Sequence, residues 1–364
     1  MSYQPPYAVS FEANAFQGYL AGMKDYWRTE LYREVVAEAS ALEEKDPQAI
    51  EQAMRSSPAY RMYAWQERVA QQFKFLGRWG MVTTLEEQKQ PLEALLAKAH
   101  KSEPQRLRLK TGFVLPDYIT DIDPHQLPGG TWRDPFHAWV MAWFQSGLSF
   151  AGSNPDALVE WYAGILKRRG AEAGVEARKV LDLGCFSGRS TRAIKRAMPQ
   201  AEVYGCDVCE PTLRQGHLRA VAEGTQVILC QENAESLSFS DCSFDLVASH
   251  WLFHELPPDA IRNVIHEAAR VLKPGGVFAV YDMCTVPGGA VGEWLHAGMA
   301  RRNNEPYAQS LVKLDLEKEM QAAGFENTRI DVTSPEWREG GVPQKLPASR
   351  YMYMSMASGT RRKA

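Results

Sequence analysis

Two acidic residues and two glycines in the second half of the chain have the spacing of a nucleotide-binding site. Residues 180–191 read VLDLGCFSGRST, a strand-like run that ends in a loop with Gly184 and Gly188, and both glycines let backbone approach a ligand closely. A second strand-like segment ends at Asp207, where a carboxylate suits the two hydroxyls of a ribose. Asp182 precedes the first glycine, where it would order the loop or hold a cationic group.

The loop differs from the one that binds a dinucleotide. A dinucleotide loop has the pattern G-x-G-x-x-G, with glycines where the pyrophosphate meets a helix N-terminus. Here Phe186 stands where a further glycine is usual, and the carboxylate of Asp182 would repel a pyrophosphate. The site therefore favours S-adenosylmethionine (SAM), which has no pyrophosphate, over a dinucleotide.

Two histidines are candidates for a catalytic base. His250 and His254 lie in SHWLFHEL, where a fourth strand should end, and an imidazole can take a proton near neutral pH. His254 has the alternative role of capping or packing a helix start. Their i, i+4 spacing would suit a metal only on a helix, and we predict no metal here.

Strands and helices alternate from residue 178 onward, which predicts a mostly parallel sheet with helices on both faces. The last two strands are joined by a loop only, and this permits an antiparallel end. The predicted strands are 179–183, 202–206, 226–230, 244–249, 276–282, 328–333 and 350–357. The predicted helices of this part are 189–198, 211–223, 258–272 and 312–323.

The chain divides into three predicted parts. Residues 1–110 form a helical domain, with helices near 59–82 and 85–99, for dimerisation or for covering a substrate. Residues 111–175 form an aromatic-rich linker or lid, with helices after Pro135 and Pro155. Residues 176–364 form the cofactor-binding domain.

Five segments together resemble the class I SAM-dependent methyltransferases, in particular their UbiE-like small-molecule group. They occur in that family's order and spacing, and Phe186 replaces the middle glycine of its D-x-G-x-G-x-G pattern. The segments are VLDLGCFSG (180–188), EVYGCDVCEP (202–211), QENAESLSFSDCSFDLV (231–247), SHWLFHELPP (249–258) and EAARVLKPGGVFAVYD (267–282). The resemblance implies a Rossmann-like fold and SAM as cofactor.

The resemblance also implies a set of cofactor contacts. Asp207 would hold the ribose hydroxyls, Val208 would flank the adenine, and Asn233 would face the adenine amino group. Ala234 would offer a backbone amide, and His250 would face the sulfonium. The loop residues expected beside the methionine moiety are Asp182, Gly184, Cys185, Phe186 and Gly188.

Aromatic and basic side chains outside these segments are candidates for the acceptor pocket. A lid rich in aromatic residues precedes the cofactor domain, and an aromatic core between helices is the alternative. Arg301 and Arg302 lie in an insert, where they would pair with an acceptor carboxylate or lie in a solvated loop. The predicted wall residues are Tyr118, His125, Trp132, His137, Trp251, Tyr281, Arg301 and Arg302.

Composition limits the partners. Lys plus Arg is 41 and Asp plus Glu is 44, a net charge of −3, which gives no general attraction to nucleic acid or membrane phosphates. With no signal peptide and no apolar run of membrane length, and with the cysteines read as reduced thiols, we expect a cytoplasmic protein, with a homodimer as one possibility. CDVC (206–209) is a lone CxxC, for which we expect no zinc or redox role.

The sequence thus predicts a SAM-dependent methyltransferase for a small, aromatic or carboxylate-bearing acceptor. Two rival interpretations remain open. One is a SAM-fold enzyme with chemistry other than methyl transfer, and the other is a SAM-binding scaffold without catalysis. Formation of S-adenosylhomocysteine with some acceptor would distinguish the methyltransferase from both rivals.

Overall fold

An eight-stranded sheet organises the cofactor-binding half of the chain. The structure is a computed structural model that describes residues 3–147, 156–332, 346 and 354–363. The strands lie in the order β1-β4-β3-β2-β5-β6-β8-β7. Their bounds are β1 Leu107–Arg108, β2 Lys179–Leu183, β3 Glu202–Asp207, β4 Ile228–Gln231, β5 Phe244–His250, β6 Leu272–Asp282, β7 Phe325–Val332 and β8 Ser355–Arg361.

Helices cover the sheet and build a separate N-terminal layer. In the N-terminal part they are α1 Phe11–Tyr26, α2 Tyr32–Ser40, α3 Pro47–Met54, α4 Pro58–Phe75, α5 Met81–Glu86, α6 Lys89–Lys98, α7 Asp117–Thr120 and α8 His137–Gly147. A π-helical turn, Trp27–Leu31, joins α1 to α2. The later helices are α9 Ala157–Glu172, α10 Arg189–Ala197, α11 Glu210–Glu223, α12 Pro258–Val271, α13 Gly289–Asn303, α14 Ala308–Lys313 and α15 Leu316–Ala322.

The central strands are parallel and buried, as their apolar runs predict. β2 pairs with β3 on one side and with β5 on the other, and Val180 and Leu181 are fully buried. Since parallel strands end at one edge, the ends of β2, β3, β5 and β6 lie side by side. This edge includes the point where the strand order reverses, where α/β sheets bind ligands.

The far edge of the sheet is antiparallel, as predicted. β8 pairs antiparallel with both β6 and β7. Within the described residues the last strand spans Ser355–Arg361, and residues 350–353 of the predicted strand lie outside them. The Rossmann-like fold class predicted from the sequence is confirmed.

Four local predictions need correction. The helix predicted over 59–82 ends at Phe75, because Gly77 takes a left-handed φ of 89°, and its predicted neighbour over 85–99 is α6. The helix predicted over 312–323 is split, because Asp315 caps a new helix by accepting a hydrogen bond from the Lys318 amide. The insert after β6 is largely the helix α13. The short strand β1 was not predicted, and it pairs with β4. The segment just before the predicted domain boundary at residue 110 therefore belongs to the sheet.

Candidate functional site

A cavity of about 940 Å³ lies where the sheet edge meets the N-terminal helices. Its sheet side is formed by the loops that follow β2, β3, β4 and β5. Its other walls come from α1, α4, α8, α9 and the segment before α8. Fourteen of the predicted site residues line it: Gly184, Cys185, Phe186, Asp207, Val208, Asn233, Ala234, His250, His254, Tyr118, His125, Trp132, Trp251 and Tyr281.

The loop after β2 keeps the backbone of a glycine-rich turn despite Phe186. Gly184 and Gly188 have φ values of 63°, and Phe186 has a φ of 53°, the left-handed region that favours glycine. The Phe186 ring packs against the apolar cluster that contains Phe75. Gly216 in α11 makes room for this loop, because a Cβ there would collide with the Ser187 carbonyl oxygen.

The strain at Phe186 gives a direct prediction. A non-glycine residue in this region costs roughly 1–2 kcal/mol, so Phe186→Gly should be more stable than Phe186→Ala by about 1 kcal/mol. Both variants lose the ring, and they differ only in the strain. Urea unfolding of the two proteins measures the difference. Elsewhere alanine usually stabilises relative to glycine, so an alanine variant of equal or greater stability would show that the backbone is not strained here.

Asp207 is held in place at the end of β3 by backbone donors. Its Oδ2 accepts a hydrogen bond from the Phe186 amide at 2.8 Å, and its Oδ1 accepts one from the Cys209 amide at 2.9 Å. Burial raises the pKa of this carboxyl, and the backbone donors oppose the rise. Each carboxylate oxygen keeps a second lone pair, so the group can accept from two hydroxyls of a ligand.

Asp182 does not line the cavity. It is fully buried, and its Oδ2 accepts hydrogen bonds from the hydroxyls of Ser190 at 2.7 Å and Thr191 at 2.6 Å in the first turn of α10. Burial raises its pKa to about 6. Of its two predicted roles, ordering the loop agrees with this position, and contact with a cationic ligand group does not.

The loop after β4 brings Asn233 and Ala234 to the cavity next to Glu232. Asn233 folds its own turn, because its Oδ1 accepts from the Glu235 amide at 2.9 Å. Tyr118 donates its hydroxyl to Glu235 Oε1 at 2.7 Å, which ties the predicted lid to this loop. Lys110 pairs with Glu232 and closes the same corner from the other side.

His250 lies in an aromatic stack at the end of β5. Its ring stacks on Tyr281 with centroids 5.4 Å apart and on Trp251 at 5.1 Å, and it meets Tyr162 at 4.8 Å. Burial lowers its pKa to about 3, so the imidazole is neutral. Its Nε2 is buried without a hydrogen-bond partner among the described residues, and the residue lines the cavity, so this atom is available to a ligand.

His254 belongs to a chain of acids and imidazoles that ends at β6. Its Nδ1 lies 2.9 Å from Asp282 Oδ1 and its Nε2 lies 3.4 Å from Glu255 Oε1. His125 continues the chain, with Nε2 3.4 Å from Glu255 Oε1 and Nδ1 2.9 Å from Glu305 Oε1. Burial lowers the pKa values of both histidines, but these carboxylates together outweigh it and raise the pKa values, for His125 to about 9. His254 is therefore a cation at neutral pH, with both ring nitrogens engaged.

The raised pKa of His125 makes part of the stability pH-dependent. Because its pKa rises from 6.5 to about 9 on folding, its stabilisation is complete below 6.5 and is lost as the pH rises to about 9. The free energy of unfolding, measured in urea between pH 6 and pH 9.5, should exceed that of His125→Gln by an amount that shrinks across this range. A difference that stays constant with pH would contradict the pairing with Glu255 and Glu305.

Five predicted site residues lie outside the cavity lining. Asp182 and Gly188 shape the loop from behind, and Gly188 begins α10. His137 is buried, with its Nδ1 2.7 Å from the Gly130 carbonyl oxygen, so it fixes the Gly129–Gly130 turn. Arg301 and Arg302 were predicted to meet an acceptor carboxylate, and the helix α13 explains why they do not.

The last turn of α13 directs both arginines to the N-terminal helices. Arg302 pairs with Glu67 of α4 in the interior. Arg301 is exposed, and its guanidinium lies 3.6 Å from the Glu51 carboxylate of α3.

Several cavity residues were not predicted. Lys74 and Glu67 come from α4, and Glu255 and Glu305 complete the acid–imidazole chain. Glu255 could have been predicted from the sequence, since it follows His254 directly. The others come from helices whose docking no local pattern reveals. Cys206 and Cys209 are buried thiols, and burial raises the pKa of Cys209 to about 11, which gives no sign of redox reactivity.

Comparison with known proteins supports the sequence resemblance. Residues 180–276 match the family model of a methyltransferase domain, which confirms the resemblance over this segment. An uncharacterised methyltransferase of Synechocystis is 38% identical over 106 residues, covering 29% of this chain and 47% of the relative. A demethylmenaquinone methyltransferase of Thermus thermophilus is 31% identical over 128 residues, which cover 35% of this chain and 57% of that relative. The chain thus spans about half the length of these curated relatives.

The comparison with solved structures includes a methyltransferase of similar length to the cofactor-binding half. The match with a SAM-dependent methyltransferase from Clostridium acetobutylicum covers 56% of this chain and 92% of that protein, with a TM-score of 0.41 and 13% identity.

Among the described residues, no helix combines the length and apolar composition that crossing a membrane requires.

Proposed function

We propose that the chain is a SAM-dependent methyltransferase that acts on a small-molecule acceptor inside the cavity. The observation that carries the proposal is the position of Asp207. Its oriented carboxylate lines the same cavity as the unpartnered His250 Nε2 and the aromatic walls. One cavity therefore offers a site for an adenosine and a site for a second ligand.

The residues present fit SAM. Asp207 would accept from the ribose hydroxyls, with Val208, Asn233 and Ala234 beside the adenine. The loop from Gly184 to Phe186 would lie along the methionine moiety. His250 Nε2 and Trp132 Nε1 are buried at the cavity wall without partners among the described residues, so a bound ligand would satisfy donors and acceptors that the chain leaves unsatisfied.

When bound, SAM supplies an activated methyl group on a sulfonium. The chain's main contribution is then alignment of the acceptor and exclusion of water. His250 would orient the acceptor through Nε2, while the aromatic stack fixes the imidazole ring of His250. Neither predicted histidine is suited to act as a strong base. Carboxylates engage both ring nitrogens of His254, and the site of His250 disfavours its protonated form. We therefore propose acceptors with an accessible lone pair, such as amines, carboxylates or acidic phenols.

Turnover tests the proposal. The purified protein is incubated with SAM and a panel of amines, aryl carboxylates, phenols and quinols, and S-adenosylhomocysteine is quantified. Acceptor-dependent S-adenosylhomocysteine together with a methylated product would support the proposal. S-adenosylhomocysteine binding without product from any acceptor would favour the scaffold, and a product that has not gained a methyl group would favour other SAM chemistry.

A homodimer through the helical layer remains a prediction. The helices α1 and α4 expose large apolar side chains, which supports a second copy as partner. They are Phe11, Tyr19, Tyr26, Met62, Trp65 and Phe73. Sedimentation equilibrium measures the mass, and a monomer at all concentrations would contradict the prediction.

A further inference from the structure

The cavity wall holds a buried lysine that the proposed reaction does not use. Lys74 lies near the end of α4, is only 4% exposed and lines the cavity. Its Nζ donates to Gln71 Oε1 at 2.6 Å. It also lies 4.1 Å from the centroid of the Phe144 ring and 4.6 Å from that of Phe75.

No carboxylate of the described residues lies within ion-pair distance of this amine. The cavity acids near it are engaged elsewhere, Glu67 with Arg302 and Glu305 with His125. Burial lowers the pKa of Lys74 well below its usual value. The charge of Lys24 lowers it further, and Glu305 opposes the shift. A buried amine without a counter-charge is costly, and an anion entering the cavity would remove that cost.

The wall around Lys74 is connected to the glycine-rich loop. Phe144, on which its amine rests, precedes Gln145, and Gln145 Oε1 accepts from Ser187 of the glycine-rich loop at 3.2 Å. Three apolar side chains, Leu20, Met23 and Trp27, also line the cavity, together with the half-buried cations Lys24 and Arg28. Lys74 differs from these two cations because it is buried, and the wall beside it continues to the cofactor loop.

We propose that Lys74 binds a carboxylate of a ligand in the cavity. Gln71 orients the amine, and the Phe144 ring holds it over an apolar surface. The inference rests on the proposed function for the identity of the ligands. Two sources share this chemistry, the carboxylate of the SAM methionine moiety and a carboxylate of the acceptor. Lys74 thus takes the role expected of Arg301 and Arg302, which pair with Glu51 and Glu67 instead.

Two pairs of probes, compared on wild type and Lys74→Met, separate these sources. S-adenosylhomocysteine has the methionine carboxylate, whereas 5′-methylthioadenosine lacks it. With S-adenosylhomocysteine saturating, 4-phenylbutyrate and 4-phenylbutyramide differ only in charge at the acceptor site. A hydrogen bond to a charged group contributes about 1.5–3 kcal/mol, so we expect at least about a tenfold loss of affinity for one carboxylate and none for its neutral counterpart.

The outcomes are distinct. Weaker S-adenosylhomocysteine with unchanged methylthioadenosine supports the site with the cofactor as source. Weaker phenylbutyrate with unchanged amide supports it with the acceptor as source. If neither carboxylate depends on Lys74, or if the neutral probes lose affinity equally, the assignment is overturned. Phenylbutyrate is also titrated without S-adenosylhomocysteine. If the wild type binds phenylbutyrate through Lys74 but does not bind S-adenosylhomocysteine, the proposed function is refuted and the lysine site is retained.

Folding is controlled with matched variants. Methionine fills a similar volume without a buried amine, so Lys74→Met should unfold at no lower temperature than wild type. Lys74→Arg keeps the charge and should retain part of the carboxylate affinity. Lys98→Met, on the exposed face of α6, should change neither binding nor stability.

Discussion

Replacing Asp207 with alanine should weaken S-adenosylhomocysteine binding by at least about 100-fold, the effect of losing two charge-assisted hydrogen bonds to a ribose. The same change frees the Phe186 and Cys209 amides that the carboxylate orders, so the loop also loses its fixed shape. Isothermal titration of both proteins measures the affinities.

Two variants separate this effect from general damage. Asp207→Asn keeps the shape and one accepting oxygen, and it should bind with intermediate affinity. Glu202→Ala removes an acid from the opposite end of β3, where Glu202 accepts from the Tyr204 hydroxyl at 2.9 Å, and its affinity should equal that of wild type. Equal affinity of wild type and Asp207→Ala would remove Asp207 from the cofactor site.

Replacing Asp282 with alanine should lower the free energy of unfolding by about 3–5 kcal/mol, the usual cost of leaving a buried ion unpaired. Asp282 is fully buried at the end of β6. It accepts from His254 Nδ1 at 2.9 Å, from the Phe253 amide at 2.9 Å and from the Met283 amide at 2.7 Å. Urea unfolding at pH 7 measures the loss.

A double-mutant cycle tests the cause of that loss. Asp282→Asn should be strongly destabilised because the His254 cation stays buried. Adding His254→Gln to Asp282→Asn should restore part of the stability, since the buried charge is gone and an amide pair can still hydrogen-bond. Strictly additive effects would contradict a charged pair at this position.

The sheet side of the site follows from the sequence because strand ends are local features. Gly184, Asp207 and His250 each follow a buried apolar run, and parallel pairing then brings the three strand ends to one edge. The left-handed φ of Phe186 was not predicted, since only the surrounding fold holds a phenylalanine there. Phenylalanine stands at this position, and its backbone nevertheless keeps the glycine conformation.

The helical side of the site could not be predicted in the same way. Lys74 and Glu67 lie on α4 among other polar residues, and only the packing of that helix against the sheet domain makes them cavity residues. Arg301 and Arg302 were placed in a loop because α13 has weak amphipathic patterning. As part of a helix, they meet acids of α3 and α4 instead of a ligand.

A crystal structure of the protein with S-adenosylhomocysteine tests the central claim most directly. We expect the ribose hydroxyls on the Asp207 carboxylate, the adenine beside Val208 and Asn233, and the sulfur facing the side of the cavity lined by His250 and Tyr281. S-adenosylhomocysteine bound away from Asp207, or no binding at saturating concentration, would contradict the account.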